Sequence, residues 1–173
     1  MKYKLILVVI ITSFFWACNS NSEPETNDIQ IEKEEWTVVE VRDGGYALQV
    51  FVPVPEIAKG EAKIEYLENV GELKIIVGEK IDYYMYEDES QMNMILNEIN
   101  SHPFYNVEIV EQTDSTLLYR FFLEDGSNEI WHFYSERSLG QPLLMIRSNQ
   151  NGNFNEYYAR KMLESSLKVN TFD

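Results

Sequence analysis

Residues 62–77 read AKIEYLENVGELKIIV. Ala62, Ile64 and Tyr66 fall on one face, with Lys63, Glu65 and Glu68 mostly off it. Leu73, Ile75 and Val77 alternate in the same way against Glu72 and Lys74. A period of two sends successive side chains to opposite faces of a strand. Asn69-Val70-Gly71 between the two runs supplies turn residues. The stretch predicts a hairpin with one buried and one wet face, the pattern of an antiparallel sheet.

Upstream, Trp36 to Arg42 and Tyr46 to Val52 are rich in Val, Tyr and Phe and read as strands. Asp43-Gly44-Gly45 between them tolerates positive φ and predicts another hairpin. Pro53 and Pro55 end its second strand. Downstream, Ile81 to Tyr86 adds a short strand. Met92, Ile95, Leu96 and Ile99 then recur at helical spacing. Ser90 is the expected N-cap, with Asp88 as its competitor, and Pro103 stops the helix.

Four more strands follow, at about Val107–Glu111, Leu117–Leu123, Glu129–Tyr134 and Leu143–Arg147. Thr113-Asp114 and Glu124-Asp125-Gly126-Ser127 supply the first two turns, and Gly140 and Pro142 lie in the third connection. A last helix runs from about Asn155 to Lys168, with Ala159, Met162, Leu163 and Leu167 as its buried stripe. Strands dominate, and few pairs of them have a helical crossover between them. The fold class is therefore α+β: a mainly antiparallel sheet with two helices packed on it.

The opening hairpin from Gly45-Tyr46 to Val52-Pro53, the middle helix, the strand meander and the closing helix at Ser165 to Val169 resemble the PsbP/Mog1-like α/β/α sandwich. The resemblance spans residues 36–170 and rests on element order. A reading as two repeats, each of strands then a helix, fits the same order. Members of the PsbP/Mog1-like fold are usually accessory proteins, so the resemblance implies a binding or assembly role.

The N-terminus has a different character. Residues 1–18 read MKYKLILVVIITSFFWAC. Lys2 and Lys4 give a positive start, and Leu5 to Ala17 is an apolar run too short to cross a bilayer core. It stops at Asn19-Ser20-Asn21-Ser22. This is similar to the bacterial lipoprotein signal, of the looser type found in Bacteroidetes. Ala17 matches the small residue before the cut, while Phe15 and Trp16 depart from the usual Leu and small residue. The resemblance implies cleavage before Cys18, lipidation of its thiol, and an envelope location at the outer membrane, facing the periplasm or the surface. Cleavage after Ser20, giving a secreted protein, and an uncleaved anchor are the alternatives. Residues 18–35 are polar and acidic and read as the lipidated cysteine with a flexible tether. The organisation expected is a signal over 1–17, a tether over 18–35 and one globular domain over 36–173.

Hydrophobic residues make up 45% of the chain, enough for a real core. The formal net charge is -15, and without residues 1–17 there remain 29 acids against 12 bases. Such a field repels phosphate backbones, so nucleic acid is not an expected partner. It also repels anionic head groups, which leaves membrane contact to the lipid anchor. Cys18 is the only cysteine, so no cysteine-based zinc site can form.

Little in the domain reads as chemistry. His102 lies in the loop ending the middle helix and reads as solvated. His132 sits within Ile130-Trp131-His132-Phe133-Tyr134 and reads as a packing residue with one hydrogen bond rather than a base. Asp114, Ser115 and His132 form a triad only on paper. Glu87-Asp88-Glu89 lacks the loop spacing of a calcium site. No catalytic residue, metal or cofactor is implied.

Aromatic clusters are what remain: Tyr83, Tyr84 and Tyr86 around Met85, and Trp131 with Phe133 and Tyr134. Alternation cannot bury every member on one face, so they are the candidate partner or ligand surface. The function expected is a non-catalytic envelope lipoprotein whose domain binds a protein or serves an assembly. The alternative is a module for a small molecule or glycan in a tyrosine-lined pocket, and a hydrolase-like enzyme comes third. An exposed flat aromatic patch would favour the first and a concave polar site the second.

Overall fold

The computed structural model describes residues 36–54, 59–140 and 142–172. The expected signal over 1–17, Cys18 and the expected tether over 18–35 lie outside the described residues. The domain is α+β with a mainly antiparallel sheet and two helices, as the strand-rich pattern predicts. In chain order the strands are β1 (Trp36–Asp43), β2 (Tyr46–Pro53), β3 (Ala62–Leu67), β4 (Glu72–Val77) and β5 (Ile81–Asp88). Helix α1 (Met92–Asn100) precedes β6 (Asn106–Gln112), β7 (Thr116–Phe122), β8 (Ile130–Arg137) and β9 (Leu143–Ser148). Helix α2 (Glu156–Lys168) and a two-residue strand, β10 (Asn170–Thr171), close the chain.

There are two sheets where the sequence suggested one. The larger has seven strands in the order β3-β4-β5-β9-β8-β7-β6, every pair antiparallel. The opening hairpin stands apart as β1-β2-β10. Gly44 and Gly45, at φ +58° and +87°, turn that hairpin. The ring of Tyr66 lies where a side chain on Gly44 would project, so only glycine fits there.

The large sheet is the middle layer. On one face it meets the small sheet and α2, which bury Val50, Val52, Leu73, Ile75, Tyr83, Met85, Phe133, Ile146, Ala159 and Met162 together. On the other face α1 lays Met92, Ile95 and Ile99 on Leu117, Tyr119, Phe121, Tyr134 and Met145. Each of those three helix side chains contributes about 2 kcal/mol by burial. Nine residues would not hold a helix in water alone, so this packing is what sustains α1.

Two details of the helices differ from expectation. Neither Ser90 nor Asp88 caps α1. Its N-cap is Gln91, whose side chain makes no cap bond. The cap is Glu136, reaching over from β8. Its carboxylate accepts the backbone N–H groups of Gln91 and Met92, both at 2.9 Å, and the hydroxyls of Ser90 and Tyr134. A charged acceptor at a helix N-terminus satisfies orphan donors and meets the positive end of the dipole. Tyr134 is held protonated, chiefly by burial and then by this bond to Glu136.

Leu167 is the second correction: it is exposed, not part of the buried stripe of α2. The stripe continues through Ser165, Ser166 and Val169. Ser165 Oγ donates to the carbonyl of Phe51 and pairs with the Tyr83 hydroxyl, and Ser166 Oγ pairs with Ser135. Small polar residues let the helix end sit close against β2 and β8, with no room there for a leucine. The start of α2 is conventional, Asn155 accepting the Tyr158 N–H.

Replacing Glu136 by Ala strips acceptors from two backbone N–H groups and a buried phenol. We expect a loss of roughly 2 kcal/mol in urea unfolding, and about half of that for Glu136→Gln, which keeps acceptor atoms without the charge. Equal stability of wild type and Glu136→Ala would refute the cap.

Candidate functional site

Register decides where the predicted aromatic surface goes. On β5, Tyr83 and Met85 are buried beneath the small sheet and α2, while Tyr84 and Tyr86 point to the α1 side and stay half-buried. Phe133 is fully buried, edge-on to Tyr83 at 6.1 Å. Trp131 is buried in the same layer, with Arg120 at 5.6 Å from its ring. Tyr83, Trp131 and Phe133 are therefore core residues, which corrects the reading of them as surface. β8 lies between β7 and β9 and is covered on both faces, so its run Trp131 to Ser135 is buried without alternation. Burial raises the Tyr83 phenol well above its ordinary value, against a small opposing effect of Ser165.

On this face Tyr86 packs at the edge of the α1 cluster, and Tyr84 lies beyond it. One row of paired residues crosses this face from β3 to β7: Glu65, Lys74, Tyr84, Arg147, Tyr134 and Leu117. Tyr134 and Leu117 are under α1. From Arg147 outward the row is polar and partly wet. The charges along it are matched. Arg147 pairs with Glu72 at 3.1 Å and Lys74 with Asp82 at 3.7 Å. The same two cations lie over the tyrosine rings, Lys74 at 5.4 Å from the Tyr84 centroid and Arg147 at 5.1 Å from that of Tyr86. Burial works against the charge on Lys74, but Asp82 and Tyr84 outweigh it and raise its pKa. Burial also raises the Tyr86 phenol, opposed by Arg147, and its hydroxyl donates to Gln91 Oε1 at 2.9 Å.

A groove of about 340 Å³ opens over Glu72, Tyr84 and Arg147. Its walls are the β3–β4 turn, with Leu67, Asn69 and Val70, and the segment after β9, with Asn149, Gln150 and Asn151. Part of the polar lining is already committed. Asn149 donates to Asp82 Oδ2 at 2.7 Å and accepts the Asn151 N–H. Among the described residues, the side-chain amides of Asn69 and Asn151, the Nε and Nη1 of Arg147 and the Oε2 of Glu72 bond no protein group. A small, partly open hollow of about 20 Å³ lies beside Arg147, Glu98, Tyr119, Tyr134 and Gln150, and is of a size to hold one water. Val70 also borders a second groove, of about 460 Å³, lined by Gly44, Tyr46, Tyr66, Tyr86, Glu87 and Asp88.

Sequence reasoning found Tyr84 and Tyr86 and missed Glu72, Lys74, Asp82, Arg147 and the amides. The available signal was charge inside strands: Asp82 and Arg147 each interrupt an apolar run, and on a sheet face such residues mark where cover is missing.

The remaining candidates are structural. His132 packs between Tyr119 and Phe121, both 5.7 Å between centroids, and its Nδ1 is 2.9 Å from Ser148 Oγ. Burial lowers its pKa to about 4, so it is neutral. Ser115, exposed in the β6–β7 turn, is not brought to it, so the paper triad does not assemble. His102 is not merely solvated: its Nδ1 accepts the N–H groups of Phe104 and Tyr105. Among the described residues no three His, Cys, Asp or Glu side chains form a metal-binding group, and no helix is long and apolar enough to cross a membrane. Comparison of the chain with protein-family models, curated proteins and solved structures returns no match.

His132 has a lower pKa folded than unfolded, so the unfolded chain takes up a proton first as pH falls. Its contribution is therefore complete above about pH 6.5, declines toward pH 4 and then levels, a loss of about 3 kcal/mol at most. Urea unfolding of wild type and His132→Gln from pH 7.5 to 4 should show their stability difference shrinking across that window. A constant difference rules out a neutral buried His132.

Proposed function

We propose that the chain is a membrane-anchored lipoprotein of the cell envelope, held at the outer membrane through Cys18, and that its domain works by binding rather than catalysis. The anchor half of this reading is supported by residues 1–18: two lysines, a short apolar run, Ala17 and then a lone cysteine. Acyl chains on that cysteine each add about 0.8 kcal/mol per buried methylene, enough together for stable anchoring. The binding half is supported by one observation, the open polar half-face at Tyr84 and Arg147 with hydrogen-bonding groups unspent. The element order of the PsbP/Mog1-like sandwich adds an analogy to accessory proteins, which alone is weak warrant for function.

A protein partner was the first expectation, and it drew on exposed aromatic clusters. Tyr83, Trp131 and Phe133 lie in the core. The large hydrophobics that are exposed, such as Val38, Met94, Phe104 and Tyr157, come from separate elements. Scattered apolar residues need no partner to explain them. A concave groove with convergent polar groups favours a ligand.

Native protein extracted from membranes should give an intact mass for a chain starting at Cys18 plus acyl groups, and Cys18→Ala should leave the membrane fraction. An unmodified Cys18, or a chain beginning after it, overturns the anchor.

A further inference from the structure

We propose that the groove over Tyr84 and Arg147 takes a neutral glycan chain. This rests on the reading of the open half-face as the binding surface. The charge pattern is the first reason. The chain carries a net charge of -15, yet the groove sets Arg147 against Glu72 at 3.1 Å, with the Lys74–Asp82 pair on the same sheet face outside its lining. An anion reaching Arg147 meets Glu72 beside it, and a cation reaching Glu72 meets Arg147. Neither sign of ligand gains, while a ligand with no charge is not penalised.

The free hydrogen-bonding groups are the second reason. Amides at Asn69 and Asn151 each offer a donor and an acceptor, Arg147 offers donors and Glu72 an acceptor. Donors and acceptors are mixed among them, which suits sugar hydroxyls, each being donor and acceptor at once. Planar amide, guanidinium and carboxylate groups bridge adjacent hydroxyls in pairs. Leu67, Val70 and the Tyr84 ring provide apolar contact for the C–H faces of a pyranose.

The third reason is shape. The volume lies near the lower end for ligand sites, and the groove is an open trough. Val70, exposed on the β3–β4 turn, lines both this groove and the second one beside Tyr46, Tyr66 and Tyr86. A chain of linked rings can therefore continue past the turn toward Tyr46 and Tyr66. A peptide is the main competitor. It would be held by strand addition at an open edge, with apolar pockets for alternate side chains. The groove lies on the sheet face, and its apolar lining is only Leu67, Val70 and Tyr84.

The test uses the full chain in a zwitterionic detergent, because glycoside detergents would compete. The probes are neutral gluco-, manno-, galacto-, xylo- and N-acetylglucosamine hexasaccharides, with polygalacturonate and a random peptide library as charged and protein-like controls. We expect submillimolar binding of at least one neutral oligosaccharide by calorimetry. Arg147→Ala and Asn151→Ala should each weaken it at least ten-fold with thermal unfolding unchanged for Asn151→Ala, and Tyr157→Ala, on the surface of α2, should leave it unaltered. No binding across the neutral panel overturns the proposal, as does preference for polygalacturonate or peptides. Binding indifferent to both groove variants overturns the site. The acyl mass is read separately, so failure of the glycan leaves the anchor standing, and the reverse.

Discussion

The large sheet is wider than the helix that covers one of its faces. Seven strands about 4.8 Å apart make a sheet roughly 29 Å across. Helix α1 has nine residues and is therefore about 14 Å long and 10 Å thick. The opposite face is served by the thirteen residues of α2 and by the small sheet, and is buried from β4 across to β7. The α1 face cannot be. Its β3–β4–β5 half stays in contact with water, and the backbone geometry that buries Tyr83 forces Tyr84 out beside it. Everything distinctive about the site follows from this shortfall of cover. Ionised groups can stand in the strands because they are wet, and they stand in pairs because they are only partly so.

This explains what the sequence disclosed and what it withheld. Residues 62–77 alternate because their strands have one dry face, and that alternation gave the hairpin, its turn and its wet side correctly. β5 alternates too, but between tyrosines, so its two faces look alike in sequence though one is core and the other is groove. The run Trp131 to Ser135 does not alternate at all, since a strand in the middle of a covered sheet is buried on both sides. Aromatic content alone cannot separate these cases; the neighbouring strand can, and neighbours are a matter of topology. The cap of α1 was illegible for the same reason, because Glu136 is 44 residues from Met92 in the chain. Leu167 was misread because a serine, not a leucine, fits where α2 touches β2.

The two histidines differ in how much of their setting is local. The hydrogen bonds of His102 serve its own turn, reaching residues two and three ahead, while its ring packs 4.9 Å from that of Phe121 on β7. His132 depends on Tyr119, Ser148 and Phe154, which come from β7, from β9 and from the segment before α2. Its neutrality is a property of that enclosure. A base needs access to a proton as well as a suitable pKa, and the ring is only 2% exposed. Ser148, its one polar partner, also accepts the Phe133 N–H, so the pair stitches β8 to β9.

An open trough sets limits on how a ligand is held. It buries only one side of what it binds, and each hydrogen bond gained there replaces one to water, with a net value of about 1 kcal/mol. A single domain facing a single site would therefore bind weakly. On the proposed reading, the lipid anchor alters that arithmetic. Copies confined to one bilayer meet a repeating chain as an array, and each contact after the first is made at the high effective concentration that confinement imposes. The acidic surface around a balanced groove then acts as a filter, keeping anionic polymers at a distance while leaving uncharged ones free to approach. Modest affinity per site, anchoring and surface charge are in this way mutually consistent, and each is encoded in a different part of the chain: the strand register, the N-terminal cysteine and the excess of carboxylates.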